Sequence, residues 1–299
     1  MTALNNENSS CFSLPVTDWN SGPDSEMQKL SVDALENGKV LFLPNLAFHL
    51  SADEKSYLRP DCVDAKTKSV KFSPLRKAMW GAAKQDNDSP VLAAMLARYA
   101  KSAESLVRAL FPGYASALSI GNTSFRPVEA KGRVQSKRHD DSRLHVDAFP
   151  SRPAQGNRLL RVFTNVHPGE YPRAWRVGEP FADVARHFLP RIPKPLPGSA
   201  KLLNVLKITK GVRTPYDHYM LHLHDKMKLD SGYQANAPYT AVSFPPGSSW
   251  IVFTDQVSHA AMSGQHAFEQ TFTLPVTAMA NPATSPLKVL EGLKKVALV

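Results

Sequence analysis

One long stretch carries apolar residues at three- and four-residue spacing: Val91, Leu92, Met95, Leu96, Tyr99, Ala103, Leu106, Val107 and Leu110. That spacing lines one face of a helix and predicts a helix turned toward a core. Ser89-Pro90 supplies the N-cap and the first helical position, and Pro112-Gly113 the stop. A shorter helix is expected from Ser25 to Glu36, closed by Asn37-Gly38, and a strand in Lys39-Val-Leu-Phe-Leu-Pro44. Residues 50–88 mix charges with short apolar pieces and show no clear period. Residues 1 to about 23, rich in Asn, Ser, Asp and Pro, are expected to form a loosely held arm.

From Leu118 the texture changes to short runs of strand character: Thr123 to Arg126, Leu144 to Ala148, Leu159 to Val166, Ala200 to Ile208, Tyr239 to Phe244, Ser249 to Thr254 and Gln270 to Val276. Pro168-Gly169, Pro197-Gly198, Pro245-Pro246-Gly247 and Ser263-Gly264 punctuate them, and helical patches interrupt at about 179–188 and 216–229. Many short strands with such turns indicate a sandwich or barrel. The expected fold is mainly β with flanking helices: a double-stranded β-helix (jelly-roll, cupin-like) core over about residues 116–280, under an N-terminal helical layer of about 24–115. Together they form one domain, residues 24–299. The proline-dense run from Phe188 to Gly198 reads as a surface connection.

Composition narrows the chemistry. Thirty-six basic against 26 acidic residues give a net charge of +10 at pH 7. Such a balance favours an acidic partner: nucleic acid, an anionic membrane surface or an acidic small molecule. Cys11 and Cys62, the only cysteines, are too few for a disulfide framework or a cysteine-based zinc site. No run of 18 apolar residues occurs, and the first residues lack a basic and an apolar signal region, so a cytoplasmic protein is expected. There is no GxxxxGK[ST], no GxGxxG and no nucleophile elbow, which removes the support for nucleotide hydrolysis, Rossmann cofactors and hydrolase triads.

The remaining chemistry gathers at Ser142-Arg-Leu-His-Val-Asp-Ala-Phe-Pro150. His145 and Asp147, one residue apart, share a face of an extended strand. With one distant histidine they make two His and one carboxylate, a set that leaves positions open on a non-haem Fe(II). His259 is the best distant candidate: it follows the apolar strand Trp250 to Phe253, and early and late strands of a jelly roll are neighbours. A competing set is His218, His222, His224 and Asp225, with His218 and His222 one helical turn apart. It lacks the Glu that follows the first His in HExxH, since Tyr219 stands there. His222 or His224 is better read as packing under the site or touching substrate.

Basic residues crowd the same region. From Arg126 to Arg161 nine bases, among them Arg126, Arg143 and Arg152, face four acids, so an anionic ligand is expected to enter here. Strand alternation places Leu159, Arg161, Phe163 and Asn165 on one face and Arg158, Leu160, Val162 and Thr164 on the other. If the first face points inward, Arg161 is a buried guanidinium that needs an anion, with Phe163 beside it; if the second does, Arg158 takes that place. Arg161 is favoured because Phe163 fills a core better than Thr164.

On His145, Asp147 and His259 the chain resembles the Fe(II)- and 2-oxoglutarate-dependent dioxygenases. The longer texture is similar to the 3-deoxy-D-manno-oct-2-ulosonic acid (Kdo) 3-hydroxylases of Gram-negative bacteria. The stretches that carry this are Leu144 to Pro153, Arg161 to Pro168, Arg176 to Phe181, Tyr216 to Asp225 and Phe244 to His259. The resemblance implies Fe(II) on the triad, 2-oxoglutarate and O2 as cosubstrates, and hydroxylation at C3 of the Kdo sugar of Kdo-lipid A. It implies peripheral work at the inner face of the inner membrane. One departure stands out. Many members of the superfamily carry an Arg about 10–12 residues after the distal His to hold the far carboxylate of 2-oxoglutarate; here Ala267-Phe-Glu-Gln-Thr-Phe272 offers no Arg or Lys. Another strand must supply the anchor. A non-catalytic cupin-like module binding anionic glycan or nucleic acid is the alternative; nucleic-acid binding in its own right ranks third, because no aromatic platform is interleaved with the bases.

Overall fold

The structure, a computed structural model, describes residues 9–133 and 135–299. In chain order its strands are β1 (Cys11–Ser13), β2 (Val40–Leu43), β3 (Val70–Ser73), β4 (Ala78–Trp80), β5 (Ser119–Arg126), β6 (Arg158–Asn165), β7 (Arg173–Gly178), β8 (Tyr239–Phe244), β9 (Ser249–Phe253), β10 (His259–Ser263) and β11 (Ala267–Leu274). The helices are α1 (Ser25–Glu36), α2 (Ala52–Lys55), α3 (Pro90–Leu110), α4 (Phe181–Phe188), α5 (Ser199–Val205), α6 (Pro215–Leu229), α7 (Ser231–Asn236) and α8 (Pro286–Lys294). Two sheets form: an eight-stranded one in the order β1-β2-β9-β6-β11-β5-β3-β4, and a three-stranded one, β10-β7-β8. This is the expected jelly roll, a mostly antiparallel double-stranded β-helix.

Alternation divides each central strand between two cores. Phe163 on β6 and Trp250 and Val252 on β9 join Trp175 and Val177 of β7 in an apolar cluster between the sheets. Leu160 and Val162 on β6 and Ile251 and Phe253 on β9 belong to the larger cluster under the helices. The long helix α3 is the main cover. Its Ser89 cap accepts from the Leu92 N–H, and Leu92, Met95, Leu96, Tyr99, Leu106 and Leu110 are buried on one face. Tyr99 stacks on Phe268 of β11 at 4.6 Å between centroids and hydrogen-bonds the Val162 carbonyl at 3.2 Å. Truncating one such fully buried leucine, Leu96→Ala, costs about 2–5 kcal/mol.

Three expectations are revised. Residues 1–8 lie outside the described residues, but the rest of the expected arm is not loose: β1 pairs in parallel with β2, and Leu14 and Val16 are buried. The N-terminal layer is not purely helical, since β2, β3 and β4 extend the large sheet at both ends. Residues 200–208 are not a strand: α5 occupies most of them, begun by Gly198 in the left-handed conformation and closed by the Leu206 N–H to Leu202 carbonyl bond. A short leucine-rich run reads equally as strand or helix, and here no sheet edge meets it.

Candidate metal centre and its cationic surroundings

Both sheets contribute to one site. His259 opens β10 of the small sheet. His145 lies in the connection between β5 and β6, outside any regular strand, and is joined to His259 by an isolated antiparallel bridge. The two residues exchange backbone hydrogen bonds, His145 N–H to His259 carbonyl at 3.0 Å and the reverse at 2.9 Å. Asp147, two residues on in the same extended segment, donates its N–H to the Thr254 carbonyl at 2.8 Å. The expected strand over 144–148 is therefore a single bridge, yet its alternation holds: His145 and Asp147 point the same way, with Nε2 and Oδ1 3.6 Å apart.

Among the described residues, one group of His, Cys, Asp and Glu converges closely enough for a metal: His145, Asp147 and His259, with their ligating atoms within 4.8 Å of one another. The hydrogen bonds fit a metal. His145 Nδ1 meets the Arg143 carbonyl at 2.7 Å and His259 Nδ1 meets the Val257 carbonyl at 2.8 Å. Each carbonyl assigns the proton to Nδ1 and leaves the Nε2 lone pair for the site, the usual outer arrangement around metal-bound imidazoles. Burial holds both rings below their usual pKa, with the His259 ring adding to the effect on His145, so both are neutral. Burial opposes ionisation of Asp147; the Arg161 guanidinium beside it reverses that and holds its carboxyl far below the carboxylate range. Two neutral imidazoles and one carboxylate form a facial set with positions to spare. The alternative set does not converge. His218 and His222 lie tilted against each other at 4.4 Å between centroids, while only His224 reaches the site, edge-on to His145 at 5.5 Å.

Around the triad lies a network of ions, buried at Arg161 and Glu269 and half-buried beyond them. Arg161 Nη2 stands 3.1 Å from Asp147 Oδ2, and its Nη1 3.0 Å from Glu269 Oε1. Arg126 Nη2 takes the other Glu269 oxygen at 2.6 Å, and its Nη1 stands 3.5 Å from Asp141, which also holds Lys68. The first of the two alternating faces of β6 is thus the inward one. Phe163 sits on it, stacked on Trp250 at 5.2 Å. Arg158 faces the other way: fully buried, it grips Asp255 at 2.8 Å and Gln256 at 2.6 Å, with its guanidinium 3.7 Å above the Phe253 ring. Of the other candidates, Arg143 donates Nε to the Lys228 carbonyl and ties the ligand segment to α6, Arg152 is exposed, and His222 stays with His218.

Three residues escaped the sequence reading. Glu269 stands ten positions after His259, where the superfamily pattern calls for an arginine, and gathers two arginines from neighbouring strands instead. Arg173 and Trp175 lie on β7, a strand with arginine on both faces and hence no apolar alternation to reveal it. Trp175 stacks on His259 at 5.1 Å. Arg173 is buried, its Nη1 bound to the Gly264 carbonyl at 2.9 Å; burial and then Arg126 bring its guanidinium down to about 10. Arg126 Nε, Arg161 Nε, Arg173 Nε and Trp175 Nε1 are all buried donors without an acceptor. Buried polar groups are rarely left so, and four orphaned donors on residues of this network and beside His259 call for an anion.

The chain matches the family model of 3-deoxy-D-manno-oct-2-ulosonic acid (Kdo) hydroxylase over residues 18–297. No curated protein matches it. Among solved structures it is similar to the Kdo hydroxylase KdoO, a non-haem Fe(II) alpha-ketoglutarate-dependent dioxygenase in complex with alpha-ketoglutarate and Fe(III), at 46% identity, TM-score 0.93 and 97% coverage of each chain. The apo form of that enzyme matches at 47% identity, TM-score 0.93 and 97% of each chain. A cobalt(II) complex matches at 46% identity and TM-score 0.94, over 97% of this chain and 98% of that one. Aligned with that model along nearly its whole length, and sharing a fold with solved members at close to half identity, the chain belongs to the Kdo hydroxylase family.

Proposed function

We propose that the protein is an Fe(II)- and 2-oxoglutarate-dependent dioxygenase that hydroxylates C3 of the Kdo sugar of Kdo-lipid A, working peripherally at the cytoplasmic face of the inner membrane. The observation that carries this is the neutral-histidine and carboxylate triad set against orphaned buried cations, in a chain of this family. His145, Asp147 and His259 would hold the metal. When bound, Fe(II) with 2-oxoglutarate and O2 supplies the oxidising chemistry: decarboxylation to succinate is coupled to insertion of one oxygen atom into a C–H bond.

The chain's own residues bind and orient. Arg161, Arg126 and Arg173 offer guanidinium donors to the carboxylate of 2-oxoglutarate that does not reach the metal, and Trp175 adds its indole N–H. Phe163 contributes by packing, fixing Trp250 and Trp175 beneath the site. Arg158 is tied to Asp255 and takes no part. Three acids in and beside the triad, Asp147, Glu269 and Asp141, are outnumbered by Arg126, Arg161, Arg173, Lys68 and Lys228, so a dianion entering the site meets a surplus of positive charge. Burial lowers the Lys68 and Lys228 ammonium pKa against the opposing pull of Asp141. His224, beside His145, and the exposed Arg152 suit the carboxylate and phosphates of an anionic glycolipid. No feature of the site favours the non-catalytic binder.

The test is mass spectrometry of Kdo-lipid A after incubation with the protein, Fe(II), 2-oxoglutarate and O2. A gain of one oxygen on the Kdo residue, matched by succinate and absent from Asp147→Ala, is expected. Retained coupled turnover in Asp147→Ala would sink the metal assignment; an unmodified sugar beside steady succinate would sink the substrate.

A further inference from the structure

Residues 193–213 serve none of the functions above. Among the described residues fourteen large apolar side chains are exposed, and six of them, Leu196, Leu202, Val205, Leu206, Ile208 and Val212, fall in this one stretch. Leu202 and Val205 on α5 and Leu206 at its C-cap stand three and four positions apart, so they share one helical face. They are 59%, 75% and 58% exposed, and α5 has no buried residue at all. Scattered surface leucines need no explanation, whereas a cluster marks contact with something apolar.

Charge identifies the partner. The same stretch bears Lys194, Lys201, Lys207, Lys210 and Arg213, and no Asp or Glu occurs between Asp183 and Asp217. All four lysines are exposed. Aliphatic side chains set among unopposed lysines suit a bilayer interface, where the former enter the acyl boundary and the latter meet lipid phosphates. A second copy docking through this face would bring the lysines against one another, because a two-fold interface pairs a patch with itself.

We propose that residues 193–213, centred on α5, are the surface by which the protein rests on an anionic phospholipid bilayer. Position supports the assignment. The stretch is fastened to the chain that leaves the ligand Asp147: the Lys210 N–H donates to the Ser151 carbonyl at 2.9 Å, and Arg213 Nη2 donates to the Pro150 carbonyl at 2.5 Å. Gln155 Nε2 donates to the Val212 carbonyl at 3.0 Å. Its start is pinned by His218 Nε2, which donates to the Pro193 carbonyl at 2.8 Å. A protein seated on this surface holds the rim of its metal site near the bilayer, where the sugar of a membrane glycolipid stands. The inference rests on the substrate reading for that orientation only; the affinity for lipid is measured separately.

The experiment is co-sedimentation of the full chain with phosphatidylglycerol-containing vesicles, against vesicles of phosphatidylcholine alone. Two variants are compared with the parent: Leu202→Ser with Val205→Ser and Leu206→Ser, and Lys201→Gln with Lys207→Gln and Lys210→Gln. All six side chains are exposed, so both should fold, which circular dichroism checks. The parent should partition onto the anionic vesicles, and each variant should bind at least about tenfold more weakly. Hydroxylation of a soluble Kdo saccharide should be unchanged in both. Equal binding by parent and variants, or no preference for phosphatidylglycerol, would overturn the proposal. So would a parent dimer that the leucine variant dissolves while neither sediments with vesicles. Vesicle binding that follows this pattern without any Kdo hydroxylation would support the surface and count against the substrate.

Discussion

Arg161 and Glu269 meet diagonally across neighbouring strands: Nη1 lies 3.0 Å from Oε1, although the direct backbone partner of Arg161 is Thr271. Glu269 also holds Arg126, so one buried carboxylate orients two guanidinium groups from the strands on either side of it. Glu269→Ala should raise KM for 2-oxoglutarate about 10–100-fold, the range seen when an outer positioning group is lost. Glu269→Gln, which keeps an acceptor, should recover part of it. Steady-state kinetics with varied 2-oxoglutarate decides; an unchanged KM in the alanine variant would remove Glu269 from this role.

Arg161 spans Asp147 and Glu269 with two different nitrogens, which a lysine ammonium cannot do in that geometry. Arg161→Lys should bind metal at one per chain yet lose at least about tenfold in kcat/KM for 2-oxoglutarate, each tenfold being about 1.4 kcal/mol. Metal analysis and turnover on the same preparation separate the two effects. Wild-type kinetics in this variant would move the anchor to Arg126 or Arg173.

Arg158 behaves differently because its charge is already answered. Burial raises the Asp255 carboxyl pKa even with Arg158 against it, so desolvation outweighs the pair and the pair itself adds little net stability. A carboxyl raised in the folded state gives its stabilisation below its unfolded pKa and loses it as pH rises through the folded value, so near neutrality Asp255 is a cost offset by Arg158. Asp255→Ala alone should destabilise by about 3–5 kcal/mol, since it strands a buried guanidinium, whereas Arg158→Met with Asp255→Leu should come out near neutral. Thermal unfolding of both variants is the check. Equal losses in the two would contradict it.

Burial pushes the Cys11 thiol up to about 11 and the Cys62 thiol up to about 12. At pH 8 neither has an appreciable thiolate fraction, and neither is accessible. The native protein should resist an alkylating reagent that labels both cysteines after denaturation. Rapid labelling of one cysteine in the native state would show that its strand or loop opens.

How much of this could be read from the sequence follows from how local each signal is. α1 and α3 announce themselves through caps and period, and His145, Asp147 and His259 through residue type and the strands beside them. The inward face of β6 was decided by a volume comparison between Phe163 and Thr164, a purely local choice. Arg173, Trp175 and Glu269 were not legible in this way: their importance lies in which strands are adjacent, and β7 hides behind two arginines. The misread run at 200–208 has a similar cause. Its apolar residues suggested a strand, whereas the run forms an exposed helix, and no local pattern separates an apolar run that pairs in a sheet from one left open to water.

The bridge between His145 and His259 has a consequence for how such a protein can change. Two candidate ligands that exchange backbone hydrogen bonds are held side by side independently of the chain between them. That intervening chain holds α4, α5, α6 and α7, the helices that border the site and the exposed basic surface. It is anchored at both ends by the same pair of hydrogen bonds. Insertions, exchanges and resurfacing in these helices, but not at Asp147 or in β6 to β9, which share the interval, can therefore vary the surroundings of the site while the pairing of His145 with His259 is kept.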